Sequence, residues 1–183
     1  HVGGLDNILF TPNGRLHRYL TRQAFLNLLH PFQPFIVGQR IIGPLMAAKI
    51  GVKLVMYGEN QAEYGNNPNE NYTPTMERKF FSTSDPMDMV LGGMPVREII
   101  EKTEFTLNDF APYIPPDADF LESKGVEVHY LGYYLKWDPQ ECYYYAVENT
   151  GFQANDERTE GTYSKYSSID DRIDMFHYYT TLA

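Results

Sequence analysis

Cysteine is nearly absent from this chain of 183 residues, which carries one, Cys142. A single thiol excludes an intrachain disulfide framework and suits a reducing compartment, so a cytoplasmic location is expected. Long apolar runs are missing as well: nothing approaches the roughly 20 residues that a membrane-crossing helix needs. The opening HVGGLDNILF lacks the basic and apolar regions of a secretory leader. Positive charge is in deficit, with 15 basic against 24 acidic residues and a formal net charge of −9. That balance opposes non-specific contact with nucleic acid or anionic membrane, and neither is an expected partner. The histidines, His1, His17, His30, His129 and His177, fall at no metal-ligand spacing and are read as structural or surface residues.

What the chain has is an ordinary globular balance, 43% hydrophobic and 21% charged, and one unusual segment. Residues 130–168 concentrate tyrosine, the only tryptophan (Trp137) and the mixed charges Lys136, Asp138, Glu157, Arg158, Glu160 and Lys165. Tyrosine and tryptophan offer an apolar body with a polar tip, so this interleaving suits the wall of a site for a polar, ring-shaped ligand. An aromatic core beside a solvated loop is the competing reading. The terminal segments are read as those of an excised piece: there is no initiator methionine, and IDDRIDMFHYYTTLA, helical in pattern, lacks a glycine or basic cap.

Along the chain, residues 6–12 (DNILFTP) read as a short buried strand closed by the Pro12-Asn13-Gly14 turn. Thr21 is placed to cap a helix with Phe25, Leu28 and Leu29 on one face, ended by Pro31. Pro34 opens a second helix through Ile50, kinked or split at Pro44 and stopped by Gly51. A strand over 53–57 (KLVMY) follows, and ligands of open α/β sheets bind beyond such carboxyl ends. Residues 67–94 are read as a long surface loop or lid, 95–102 and 106–110 as short helices, and 126–131 (VEVHYL) as a strand. Asp138-Pro139-Gln140-Glu141 has an acidic N-cap, proline at the first helical position and glutamate at the third, opening a helix to about Asn149 that Gly151 stops. Ser168 caps a last helix striped by Ile169, Ile173 and Phe176, while Cys142 is read as a buried or incidental thiol. The chain is treated as a single incomplete domain: an α/β unit over 1–66, a lid with short helices over 67–125, and a strand with helices over 126–183.

Just past the 53–57 strand, Gly58-Glu59-Asn60 with Glu63 and Gly65 sets carboxylates among glycines. Glycine lets backbone approach a phosphate, and carboxylates hold the magnesium that accompanies it. As a bare pattern this is weak, and a solvated turn is the commoner explanation.

PFQPFIVGQR, YGENQAEYGN, LGYYLKWDPQECYYYAVENTGF and ERTEGTYSKYSSIDDRIDMFHYY, in this order, resemble the N-acetyl sugar amidotransferase family of bacterial lipopolysaccharide O-antigen and flagellar glycan biosynthesis. The resemblance implies a partial Rossmann-like ATP pyrophosphatase (PP-loop) fold, α/β with few parallel strands and a mostly helical C-terminal part. The upstream Ser-Gly-Gly-x-Asp-Ser phosphate loop of such enzymes has no counterpart here; His1-Val2-Gly3-Gly4-Leu5-Asp6 lacks its serines. The implied sheet sets KLVMY and VEVHYL side by side and parallel, as part of three strands out of five. Exposed strand edges are then expected to favour self-association, as a homo-oligomer or in rearranged packing.

The activity implied is conversion of the acetamido group of a nucleotide-linked sugar to an acetamidino group. ATP activates the amide oxygen and ammonia from a separate glutaminase subunit attacks the carbon. Glu59 and Glu63 would hold magnesium, with Gly58, Asn60 and Gly65 shaping the nucleotide loop. Lys136, Lys165 and Arg158 would stabilise phosphate or developing charge. Tyr133, Tyr134, Trp137, Asp138, Glu157, Glu160 and Tyr163 would line the sugar, whereas Tyr143, Tyr144 and Tyr145 are read as helix packing. Without its phosphate loop the piece is expected to be inactive. A non-catalytic carbohydrate-binding or scaffold module is the alternative from another class. An RNA-thiolating relative is disfavoured by the acidic charge and the missing cysteine pairs.

Overall fold

A computed structural model describes residues 4–58, 73–77, 81, 83, 85–136, 138–158 and 164–166, and every absence noted below is an absence among these. The first helix, α1 (Gly14–Leu28), starts seven residues before Thr21 because Asn13 is its cap. The Asn13 side-chain oxygen accepts from Arg15 N at 3.0 Å and Leu16 N at 3.4 Å, and its amide donates to Asp109 Oδ1 at 2.8 Å. Thr21 lies mid-helix and donates its hydroxyl to His17 O instead of capping. The buried stripe is therefore Leu16, Leu20 and Ala24, spaced four apart. Phe25, Leu28 and Leu29, expected inside, are exposed. Leu29 ends the helix in the left-handed region at φ 54°, two residues before Pro31.

Helix α2 (Gln33–Ile50) runs unbroken through Pro44, and Gly51 closes it with φ 79°. A proline has no N–H for the carbonyl four residues back, here Arg40 O. The Tyr57 hydroxyl supplies the donor, lying 2.9 Å from Arg40 O and 2.9 Å from Gln39 O. Close approach makes this contact possible: a Cβ on Gly43 would sit 3.1 Å from Val55 Cγ1 and 3.2 Å from the Tyr57 hydroxyl.

Strand β1 (Leu54–Tyr57) pairs in parallel with β4 (Glu127–Tyr130), Leu54 opposite Glu127 and Tyr57 opposite Tyr130. Residues 73–77 cover the other edge of β4, with Met76 N donating to Val128 O at 2.8 Å and Tyr130 N to Pro74 O at 2.9 Å. The expected strand over 6–12 does not form: residues 4–13 are without regular structure, and Leu5, Ile8 and Leu9 are exposed. An apolar run becomes a strand only when another strand accepts its backbone bonds, and none is placed beside it.

The segment expected to be a long loop contains a hairpin, β2 (Val90–Leu91) against β3 (Met94–Pro95), turned by Gly92 and Gly93 at φ 60° and 78°. Gly92 O accepts from the Asn27 amide at 2.8 Å, and Gly92 N donates to Gln33 Oε1 at 3.0 Å, so the turn is tied to the α1–α2 junction. Helix α3 (Val96–Lys102), a 3₁₀ turn (Leu107–Phe110), α4 (Ala118–Lys124), a single turn α5 (Leu131–Tyr134) and α6 (Pro139–Thr150) complete the order.

Two apolar clusters result. Leu16, Leu20, Leu91, Val96, Ile99, Phe110 and Tyr113 join α1, the hairpin, α3 and the 3₁₀ turn. Ala47, Ala48, Met76, Phe81, Leu121, Val126, Val128 and Tyr130 join the end of α2, α4 and the parallel pair. α2 is the spine between them, packing Gly38 against the Tyr113 ring at one end and Ala47 with Ala48 into the second cluster at the other. The described architecture is mixed α/β, about half helical, with a two-stranded parallel sheet. No described helix is long and apolar enough to cross a membrane.

Candidate functional site at the carboxyl edge of the parallel strands

Because β1 and β4 are parallel and in register, the chain leaves both at one edge of the sheet. Gly58 follows Tyr57 there, exposed, with open space where a Cβ would stand. Tyr130 leads directly into α5, so Tyr133, Tyr134 and Lys136 depart from the same edge. Tyr133 and Tyr134 meet edge to face at 5.5 Å, and both are about half exposed (54% and 51%). Exposed aromatic rings beside an exposed Lys136 give this edge both a stacking surface and a cation.

Glu59, Asn60, Glu63, Gly65, Trp137, Glu160 and Tyr163 lie outside the described residues, as does the helix expected after Ser168. Among the described residues, no group of three His, Cys, Asp or Glu is arranged to hold a metal ion.

Asp138 has a local task. Its carboxylate accepts from Gln140 N at 3.0 Å and Glu141 N at 3.2 Å, capping α6 as its spacing implies, and Gly151 ends that helix at φ 72°. Lys165 is likewise engaged: its amine donates to Asp156 O at 2.7 Å, while its own carbonyl accepts from Asn155 N at 2.8 Å. Glu157 and Arg158 are exposed beside this clasp. Tyr166 stacks on Tyr143 at 4.4 Å and 10°, and its hydroxyl donates to Gln140 Oε1 at 2.9 Å. The clasp is thus brought to α6. Tyr144 and Tyr145 point to solvent, against the expectation that all three tyrosines of this run are packed, and Cys142 is exposed where a buried thiol was one reading. α6 buries no residue, so its successive tyrosines have no core to enter.

Two features escaped the sequence reading. His129 Nδ1 lies 2.6 Å from the Tyr134 hydroxyl, and its Nε2 lies 3.2 Å from Glu127 Oε2. Period-two alternation in VEVHYL does put residues 127 and 129 on one face, but the partner on α5 depends on the turn after β4. A shallow open groove of about 410 Å³ lies elsewhere, lined by Arg15, Arg18, Tyr19, Thr103, Glu104 and Phe105. Arg15 pairs with Glu104 at its rim.

No protein-family model matches the chain, and no curated protein is significantly similar to it. The functional reading therefore stands on the residues and on this edge.

Proposed function

We propose that the chain belongs to an ATP-dependent amidotransferase that converts the N-acetyl group of a nucleotide-activated sugar to an acetamidino group in surface-polysaccharide synthesis. The observation that carries this reading is the parallel, in-register pairing of β1 with β4. It brings Tyr57-Gly58, where the YGENQAEYGN block begins, and Leu131–Tyr134, where the LGYYLKWDPQ block begins, out of the same sheet edge. In parallel α/β sheets that edge is where ligands bind, and in the Rossmann-like PP-loop arrangement it is where nucleotide and acceptor meet.

An acetamido carbon is a poor electrophile, and the oxygen must leave as part of AMP before ammonia can replace it. Glu59 and Glu63 are the carboxylates assigned to magnesium, which when bound would neutralise phosphate charge. Lys136, exposed next to α5, is assigned to the charge that develops at the activated amide. Tyr133 and Tyr134 supply ring faces for sugar or base, joined in this reading by Trp137. Lys165 and Arg158 are assigned to phosphate or developing charge, and Glu157, Glu160 and Tyr163 to the sugar; the bond from Lys165 to Asp156 O fixes the Lys165 amine. Asp138 contributes through the α6 cap. Ammonia comes from a glutaminase partner.

The test incubates the intact protein and a glutaminase with ATP and nucleotide-linked N-acetyl sugars, and follows AMP together with exchange of the acetamido oxygen for NH by mass spectrometry. AMP and amidino sugar appear together, and Lys136→Ala lowers the rate on the order of 10²-fold, the usual cost of one donor to developing charge. Absence of AMP with every such sugar, or an unaffected Lys136→Ala, refutes the reading. The exposure of Tyr133, Tyr134, Tyr144 and Tyr145 favours one second reading, a carbohydrate-binding module, for which sugar binding is independent of ATP.

A further inference from the structure

Glu127, His129 and Tyr134 form a chain of hydrogen bonds; the amidotransferase reading uses Tyr134 as a ring face and gives its hydroxyl, His129 and Glu127 no chemical task. Glu127 and His129 share one face of β4, while Val128 and Tyr130 on the opposite face are buried in the second apolar cluster. The imidazole is held between two side chains. Its ring stacks on Tyr134 at 5.8 Å and 14°, its Nε2 faces Glu127, and its Nδ1 faces the phenol. An ionised carboxylate can only accept, so the ring proton sits on Nε2 and the Nδ1 lone pair is turned to the tyrosine O–H. A hydroxyl, a base within hydrogen-bond reach and a third group that orients the base make up the arrangement of an assisted nucleophile. The side chain of His129 is largely covered, 15% exposed, while the phenol is half open to solvent, so a reagent reaches Tyr134 before the base.

We propose that Tyr134 is an acyl-accepting nucleophile, with His129 as its general base and Glu127 as the positioning residue. The donor class is a small, neutral activated acyl compound such as a thioester or an acyl imidazole. The Glu127 carboxylate beside the ring repels a phosphoryl dianion, and a neutral acyl carbon meets no such cost. In the step, the Tyr134 oxygen attacks the acyl carbon, the phenolic proton passes to His129 Nδ1, and the bond from carbon to the leaving sulfur or nitrogen breaks. The imidazolium then returns its proton to the leaving group. The inference is independent of ATP and of the amidotransferase reading.

Tyr133 is a built-in control, the adjacent residue with a similar exposure and no histidine on its hydroxyl. The intact protein is treated at neutral pH with limiting N-acetylimidazole, and O-acetylation at Tyr133 and Tyr134 is resolved by fragment-ion mass spectrometry. Tyr134 reacts on the order of 10²-fold faster than Tyr133, the lower end of what a positioned base contributes. His129→Gln brings Tyr134 down to the rate of Tyr133. Glu127→Leu, which leaves Nε2–H no acceptor, lowers the Tyr134 rate and abolishes the Nε2–H preference in the imidazole ¹⁵N signature, a change that loss of packing alone would not produce. Equal rates at the two tyrosines in the unmutated protein overturn the proposal without recourse to any variant, and so does an unchanged Tyr134 rate in His129→Gln.

Discussion

Removing the Tyr57 hydroxyl tests whether one side chain keeps α2 continuous. Pro44 is fully buried in the helix interior and leaves Arg40 O without its ladder donor; the Tyr57 hydroxyl lies 2.9 Å from that oxygen. Tyr57→Phe keeps the ring against Gly43 and takes away only the donor. A partly buried carbonyl left without its partner costs about 1–2 kcal/mol, between the net worth of one hydrogen bond and a full desolvation penalty. Pro44→Ala returns an N–H to Arg40 O, although it also loses the packing of the buried ring, so its own effect has no assured sign. The informative quantity is the coupling. In the Pro44→Ala background Tyr57→Phe is expected to cost at most about 0.5 kcal/mol, leaving an interaction energy of about 1 kcal/mol between two positions thirteen apart in sequence. Urea unfolding of the four proteins, followed by far-ultraviolet circular dichroism, measures it. If Tyr57→Phe costs the same in both backgrounds, the hydroxyl is not what substitutes for the missing N–H, and the account of α2 is wrong.

Gly92→Ala is expected to be far more damaging than Gly125→Ala, although both glycines have φ near 60°. A left-handed alanine costs about 1–2 kcal/mol in either place. At Gly92 the new carbon also stands 2.9 Å from Gln23 Cβ and 3.0 Å from Leu20 O of α1, which adds about 1–3 kcal/mol, whereas at Gly125 nothing lies within 4 Å. Equal losses in denaturant unfolding would refute the packing of the hairpin on α1. The His17–Tyr113 pair gives two pH limits. The imidazole Nδ1 and the hydroxyl are 2.7 Å apart, burial holds His17 below its ordinary value, and burial pushes Tyr113 up to about 12. Both groups fold in the neutral form. For His17 the unfolded chain binds the extra proton, so stability is complete above about pH 6.5 and falls as the pH drops below it. For Tyr113 the unfolded chain releases its proton first, so stability is complete below about pH 10 and is lost as the pH rises from there to about 12. Thermal midpoints across this range check both, and a profile unchanged by His17→Gln on the acid side counts against the first.

Signals that act within a few residues were legible in the sequence. Asp138, Pro139 and Gly151 bound α6 as their spacing implies, and Gly51 ends α2, because capping and left-handed termini are local chemistry. Both strands of the parallel pair were legible for the same reason: each is a short apolar run bounded by turn residues. Asn13 was misread because an Asx turn and an N-cap use the same side-chain oxygen on nearby N–H groups. What decides between them is the burial of Leu16 and Leu20 and a bond to Asp109, which is 96 residues away. Residues 6–12 have the composition of a strand, but pairing belongs to the neighbour. Gly92-Gly93 is a hairpin signal in itself, and it was hidden by arms of two residues each that depend on Asn27 and Gln33 for anchorage. At the candidate site, the strand-end position of Gly58 and the exposure of Tyr133 and Tyr134 were within reach of sequence. The His129 contacts were not, since they need the turn of α5 to bring residue 134 back over residue 129.

The aromatic segment over 130–168 is thus not a single wall. Tyr130 ends β4 inside the apolar cluster. Tyr143 and Tyr166 stack on each other, and Phe152 meets Tyr143 edge to face at 6.2 Å. These contacts have a purpose set by length: a helix of 12 residues with no buried side chain is marginal on propensity alone, so α6 draws its support from its caps and from this aromatic clasp. Among the described residues that leaves Tyr133, Tyr134, Tyr144 and Tyr145 as rings with surface open to a ligand, and the first pair stands at the carboxyl edge of the sheet. Ring enrichment in a sequence therefore overstates the ligand-facing surface by the number of rings the fold spends on holding itself together. Lys165 and Asp138 show the same division among the charges, one closing a loop and the other starting a helix, while Lys136 stays exposed at the edge where the aromatic pair departs.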